Sequence, residues 1–557
     1  MDSPQTDSLQ TASAASSPIK TDVIIIGAGP CGLTAALTLQ HHGVNFIILD
    51  RNPGPVQHSN ALGVAVRTLE VLEMLGLKDT FAGAGYPMRH ASMRAFGTYL
   101  GRIPIDTVDS PYRGMHAIPQ NVTEKLLNDA LLSRGGKILR NHEATSITQD
   151  DSGVTVIAKP GNGESQSFLA RYLIGCEGSD SLTRRTLNID FVGERYESQV
   201  FLQTDAVLRW TYPVGDMYGF LHQDMACIVF PYDLSGRHRV ICALPDTNPE
   251  EKAPPTLAEM QEFVRRAADP RAELSAPTWF SRFRTQHRVA KTYRDGRCFL
   301  AGDAAHVHPP IGGQGMNTGM QDAFNVGWKL ALVVKGQAPE PILNTYHSER
   351  HPVAEGLIHG VDRAFHALFG KNELWHAAVR ALGPVAAGLT VVQHNAADML
   401  AEVNVSYSES AIVADANSGK RAPDASLVDL KSLETTQLFS LYDGRRYTLL
   451  FFSGSGSSSG QVQAWQDFHS LLPKVPPYAE RLQIAALAAD PGQCPPFVTE
   501  SEQIIPLADR SLQAHHKYSV GSAAHLVLVR PDGYTAFHDA ASAAPALLAH
   551  LNSVFTI

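Results

Sequence analysis

Two glycine-rich segments, far apart in the chain, carry residue types whose spacing suits a phosphorylated cofactor. In the first, Gly27, Gly29 and Gly32 stand in a G-x-G-x-x-G arrangement, with Asp50 and Arg51 further on. Gly27 permits a tight turn, Gly29 lets the backbone approach a pyrophosphate, and Gly32 lets a helix and a strand pack closely. A helix beginning there offers unpaired N–H groups and partial positive charge to the phosphates, and Asp50 can accept hydrogen bonds from a ribose hydroxyl. The second segment runs Gly302-Asp303-Ala304-Ala305-His306 and on through Val307 to Asn317. An acid at a strand end, a Gly/Pro loop and a helix start build a second polar cradle. No metal site is expected: His306 and His308 are two residues apart on a strand without a third ligand, and read as packing and loop-shaping groups.

The surrounding elements can hold these groups in place. Thr21 to Ile26 is a β-branched apolar run, Leu33 to His42 is rich in helix formers, and Val44 to Leu49 is a second apolar run ending at Asp50. Strand, glycine loop, helix and strand within about 30 residues is the context a dinucleotide fingerprint requires. Gly296 to Ala301 reads as another strand, and Thr318 to Val334 as the helix after the second cradle. Residues 191–284 read as sheet, with runs at 199–208, 217–222, 226–232 and 238–244. Val353 to Glu402 reads as helices broken near Gly383-Pro384, and the last 140 or so residues as a separate α/β unit.

Composition narrows the function. The 557 residues are 44% apolar and 18% charged, ordinary for a globular chain of several domains. A net charge of −9 argues against nucleic acid as a partner. No stretch approaches the roughly 18 apolar residues of a membrane span. Six cysteines lie far apart without metal-ligand spacing, which suits a reducing compartment. Residues 1–20 lack a basic start and an apolar core, so they read as an unstructured tail rather than a secretory signal, and the cytoplasm is the expected location.

The segment GDAAHVHPPIGGQGMNTGMQDAFNVGWKLA resembles the second FAD-binding motif of the single-component flavin aromatic hydroxylases, which include p-hydroxybenzoate, phenol and polyketide hydroxylases. Arg67 to Leu72, Ile118 to Gln120, Leu173 to Gly178 with Ser181 and Arg184, and Tyr346, Glu349 and Arg350 resemble further pieces of that family, so the likeness runs from about residue 21 to 354. The resemblance implies an α/β fold, with a Rossmann-type FAD-binding domain (21–80, 118–190 and 285–352) interleaved with a substrate-binding sheet domain (81–117 and 191–284). A helical segment (353–410) and a thioredoxin-like C-terminal domain (415–557) complete it, the last lacking a CxxC pair because Cys494 is its only cysteine. It implies FAD held by Gly27, Gly29, Gly32, Asp50, Arg51, Asn60, Gln120, Asp303, Pro310, Gly313, Gly315, Met316 and Asn317, with NAD(P)H as co-substrate. The resemblance further implies that dioxygen adds at flavin carbon 4a and that hydroxyl passes to an aromatic or polyketide-like small molecule. A homodimer is the expected assembly.

Three positions depart from the family pattern. Asn60 stands where an Arg helps hold the flavin, Leu62 where phenol hydroxylases carry an Asp base, and Glu177 where the "GxDG" motif has Asp. With that base missing, a group from the middle sheet is expected to act on the substrate. Tyr218, His222 and Tyr232 are the catalytic candidates, and Arg239 is a further pocket candidate. Epoxidation, Baeyer–Villiger-type insertion or oxidation without oxygen transfer would use the same site. A non-catalytic flavin sensor is the reading from another class.

Overall fold

The structure, a computed structural model, describes residues 17–556 except 58, 162, 196–198, 310–312, 369–372 and 416, and omits the side chains of 195 and 358–374. Along the chain, β1 (Val23–Ile26), α1 (Pro30–His41) and β2 (Phe46–Leu49) form the first unit, followed by α2 (Val66–Met74). Next come β3 (His90–Ala95), β4 (Thr98–Pro104), α3 (Gln120–Ser133) and β5 (Tyr172–Gly175). The middle section contributes β6 (Gln199–Arg209), β7 (Met217–His222), β8 (Met225–Pro231), β9 (Arg237–Pro245) and β10 (Glu273–Phe283). β11 (Cys298–Leu300), α4 (Gly315–Val334) and α5 (Asn344–Leu368) return to the first unit.

In the resulting sheet β11, β5, β1 and β2 are neighbours in that order and all parallel. Their registers end together: Ile26 lies opposite Gly175 and Leu49, and Gly175 opposite Leu300. The loops that follow β1, β5 and β11 therefore emerge at one edge, the carboxyl end where α/β sheets bind ligands. The strands are apolar throughout because α1 and α4 cover one face and a second layer, with Val154, Val156 and Phe168, covers the other.

A second sheet, ordered β10-β6-β9-β8-β7-β3-β4 among the described residues, stands over that edge. Its alternation sends Val200, Leu202, Tyr218, Phe220, Val229 and Val240 to one face, under the helix Leu257–Ala267. Phe201, Met217, Phe230, Ile241 and Ala243 go to the other, with Leu62 and Met115.

The C-terminal unit holds β12 (Tyr447–Phe452), β13 (Leu482–Ala488), β14 (Ile504–Ala508), β15 (His525–Val529) and β16 (Thr535–Ala540). β12, β13 and β14 are parallel, and β15 and β16 form an antiparallel hairpin beside β12.

Three sequence expectations shift. Residues 1–16 of the tail lie outside the described residues, but Ile19 and Lys20 are already a strand, in parallel register with Phe168 and Leu169. α5 crosses position 352–353 unbroken, with Pro352 inside it. The break expected at Gly383-Pro384 lies later, because the helix Glu373–Ala387 carries Pro384 internally and ends before Gly388. Among the described residues no single helix is long and apolar enough to cross a membrane.

Candidate active site

The three strand-end loops and the underside of the second sheet enclose a cleft of about 950 Å3, at the upper end of the range for small-molecule sites. Gly27, Gly29, Asp50, Arg51, Asn60, Gln120, Asp303, Gly313, Gly315 and Met316 all line it. Pro310 falls outside the described residues.

The glycines differ in what demands them. A Cβ on Gly27 would lie 2.4 Å from the Cys176 carbonyl oxygen, and its φ of +97° is one L side chains avoid. A Cβ on Gly32 would lie 1.9 Å from the Gly27 oxygen, so Gly32 serves helix–loop packing and does not line the cleft. Gly29 is the opposite case: no protein atom comes within 4 Å of the Cβ it lacks, and its φ is −76°. None of the described residues crowds that position, so the loop backbone stands open to the cleft there.

Asp50 accepts from the Ala28 N–H at 2.6 Å and the Asn52 N–H at 2.7 Å, which fixes the first loop against the end of β2. Asp303 is set differently. It is surrounded by protein yet open to the cleft, and accepts no hydrogen bond from the described residues. Desolvation raises its pKa, opposed only by His306. An acid left without a partner at the base of a cleft is built to meet donors a ligand brings, such as the hydroxyls of a sugar alcohol chain. Together with the open space at Gly29 and the N-terminus of α1, it fits a dinucleotide carrying a ribityl group.

Asn317, expected as a ligand, and Glu177, the departure in the GxDG motif, both make their hydrogen bonds to the protein instead. Asn317 is fully buried: its oxygen accepts from Ala65 N–H at 2.8 Å and its amide donates to Gly63 and Gly313 carbonyls at 2.9 and 3.0 Å. It clamps the Gly313 loop to the Gly63 loop and does not line the cleft. Glu177 does line it, but its longer side chain folds back to accept from Thr183 N–H at 3.0 Å and Ser181 hydroxyl at 3.0 Å, capping the helix Leu182–Thr186. Arg184 ties the β5 loop to the β11 loop through Ala304 and Ser179 carbonyls.

Two of the three catalytic candidates, Tyr218 and His222, lie one strand phase away from the cleft. Tyr218 points to the far face of β7, where it stacks with Trp210, Tyr212 and Phe220 and donates to the Pro213 carbonyl at 2.8 Å. Burial pushes its phenol up to about 12, away from a working base. We expect Tyr218→Phe to leave FAD content and kcat/KM unchanged while costing about 1 kcal/mol in urea denaturation. His222 sits at the end of β7 opposite Met225, off the cleft. Tyr232 is on the correct side but its hydroxyl is held by Asp205 and Arg239, and burial pushes its pKa up.

Residues one phase away do face the cleft: Gln203, Phe230, Arg239, Ile241, Ser281 and Phe283. Arg239, 1% exposed, is gripped through two 2.8 Å hydrogen bonds by Asp205, which also accepts from Trp279 Nε1 at 2.6 Å. Its remaining nitrogen reaches the Asn60 carbonyl at 3.2 Å, linking roof to floor. The amide nitrogen of buried Gln203 has no partner among the described residues. The signal for this face was present, since Gln203 and Asp205 share it with Phe201 as polar interruptions of an apolar strand. His308 also lines the cleft, with Nδ1 at 2.9 Å from the Pro309 carbonyl, Nε2 without a partner among the described residues, and burial pushing its pKa down to about 4. It is more than a loop-shaping residue. His306 does pack, its Nε2 lying 2.6 Å from the Asp322 carboxylate.

Comparison with known proteins agrees with this site. A family model described as an FAD binding domain matches residues 20–361, and one described as the C-terminal domain of aromatic-ring hydroxylases matches 415–556. The chain is 34% identical over 436 residues, 78% of its length, to an uncharacterized aromatic compound monooxygenase, YhjG, of Bacillus subtilis, covering 85% of that protein. It is 32% identical over 460 residues to the 12-dehydrotetracycline 5-monooxygenase/anhydrotetracycline 6-monooxygenase of Streptomyces rimosus, covering 80% of this chain and 88% of that one. Among solved structures, the OxyS anhydrotetracycline hydroxylase from Streptomyces rimosus superposes with a TM-score of 0.74 at 30% identity, covering 96% of this chain and 99% of that one.

Proposed function

Because the chain belongs to the FAD-binding aromatic-ring hydroxylase family, and is an FAD-dependent monooxygenase, we propose that it hydroxylates a phenolic or polyketide-type ring held beneath the β6–β10 sheet. The observation that carries this is the continuity of the cleft: the dinucleotide cradle and the pocket under the second sheet are one space. FAD, when bound, supplies hydride acceptance from NAD(P)H and activation of dioxygen. The chain supplies placement. Phe230, Ile241, Phe283, Leu62 and Met115 offer an apolar, water-poor surface of ring dimensions. Gln203 and Arg239 offer donors to a carbonyl, phenol or phenolate oxygen at the rim of that surface. Arg239, with its charge balanced by Asp205, acts as a positioned hydrogen-bond donor rather than as a free cation.

We further propose that the C-terminal unit is thioredoxin-like in layout, supported by parallel β12 and β13 joined through the helix Ser458–Leu471 and by the β15–β16 hairpin. Having Cys494 alone, it has no dithiol chemistry. The unpaired thiols support a reducing, cytoplasmic setting.

The test is oxidation of NAD(P)H by the FAD-loaded enzyme against phenols, salicylates and polyketide aromatics under labelled dioxygen. The expected result is one labelled oxygen in the product. Reductant consumption that no aromatic stimulates, or product without label, rejects the proposal.

A further inference from the structure

Two cysteines, 145 residues apart in the chain, meet at the floor of the cleft. Cys31 lies in the first turn of α1 and Cys176 directly after β5, and their sulfurs are 3.6 Å apart. Both line the cleft, Cys176 being 9% exposed and Cys31 half-buried. The parallel register that ends β1 and β5 together brings them into contact, and the loops are pressed so close that Gly27 has no room for a side chain against Cys176. We propose that Cys31 and Cys176 are an oxidation site, closing to a disulfide on exposure to hydrogen peroxide when the cofactor is not seated above them.

Peroxide is the two-electron product of reduced flavin and dioxygen when no substrate takes the oxygen, so misfiring FAD-loaded copies of the enzyme supply the oxidant to copies that have lost FAD. The Cys176 thiolate attacks one peroxide oxygen, breaking the O–O bond and releasing hydroxide, which leaves a sulfenic acid. Cys31 gives up its proton and attacks that sulfur, displacing a second hydroxide. In sum, two thiols and one peroxide become one disulfide and two waters, the sulfur pair losing the two electrons that peroxide gains. Bonding requires the sulfurs to approach by about 1.5 Å, a distance that χ1 rotation can supply. The hydrogen bond to Cys176 and burial hold the Cys31 proton, which suits the slower, resolving role and keeps the pair reduced under ordinary conditions.

Access decides which pair reacts. Cys227 and Cys242 lie directly opposite each other on β8 and β9, but both are fully enclosed between the second sheet and its covering helix. A dinucleotide seated on the Gly27 and Cys176 loops would close the same access to the first pair.

The experiment uses the full-length protein, stripped of FAD or with FAD restored, treated with hydrogen peroxide, alkylated and digested without reductant. The expected result for the stripped protein is loss of two of the six alkylatable thiols, a linked peptide containing Cys31 and Cys176, and recovery with dithiothreitol. Cys227 and Cys242 should stay alkylatable. With FAD at about a hundred times its dissociation constant, linkage should slow about a hundredfold, because only the free fraction reacts. Cys31→Ala should divert Cys176 to sulfinic acid instead. Absence of the linked peptide at a peroxide dose that oxidises half-buried Cys494 overturns the proposal. Linkage at an undiminished rate in protein spectrally loaded with FAD overturns its placement under the cofactor while leaving the monooxygenase reading intact.

Discussion

Asp303→Asn is expected to emerge from purification largely without FAD, while the stability of its FAD-free form changes little. Without cofactor, Asp303 is open to solvent in the cleft and accepts no hydrogen bond from the described residues, so it adds little to folding stability. With cofactor, the same carboxylate accepts from ribityl hydroxyls, and losing a hydrogen bond to a charged group costs about 1.5–3 kcal/mol, roughly 10- to 100-fold in affinity. FAD titration followed by flavin fluorescence, with thermal melts in the presence and absence of FAD, separates lost binding from lost folding. Wild-type FAD affinity in the variant would refute the assignment of Asp303.

Arg530→Met is expected to cost about 3–5 kcal/mol of folding stability, the usual result of removing one partner from a buried ionic cluster. Arg530 follows β15 and is buried completely. It donates to both oxygens of Glu349 at 2.7 and 2.8 Å and to both of Asp532 at 2.6 and 3.0 Å. Glu349 belongs to α5 and also accepts from Lys329 at 2.6 Å and Asn325 at 2.8 Å, both on α4. The cluster thus bolts the C-terminal unit to the helices behind the second cradle. Burial opposes the Glu349 charge, but Arg530 and Lys329 prevail and hold its pKa well below the carboxylate range. A depressed acid stabilises the fold above its unfolded pKa, and that contribution drains away as pH falls through the interval below it. Chemical denaturation at neutral and acidic pH should therefore show the variant far weaker at neutral pH and the gap narrowing in acid. A difference that does not depend on pH would refute this account.

How far the sequence could be read follows from how local each feature is. The Gly27 to Gly32 loop and the Gly302 to Asp303 turn are legible because a few consecutive residues fix their geometry. The middle strands were legible as strands, but not in phase. A strand sends successive side chains to opposite faces, and an error of one residue exchanges Tyr218 for its neighbours. Asn317 looks like a ligand because of where it sits in its motif, yet it clamps two loops, and Glu177, the departure in the GxDG motif, caps a helix.

The sequence by itself determined that a dinucleotide cradle exists, that an acid stands at its second half, and that an α/β unit leads into a sheet-rich section and a separate C-terminal unit. Those follow from hydrophobic periodicity and turn chemistry within short windows. Tertiary structure alone decided which side chains meet. The common end point of β1, β5 and β11 brings Cys31 beside Cys176 and places Asp303 on the same cleft, the second sheet's tilt over that edge puts Arg239 above Asn60, and the docking of β15 carries Arg530 to Glu349. Such contacts join residues separated by much of the chain, and they depend on strand register and layer packing, which no short window encodes.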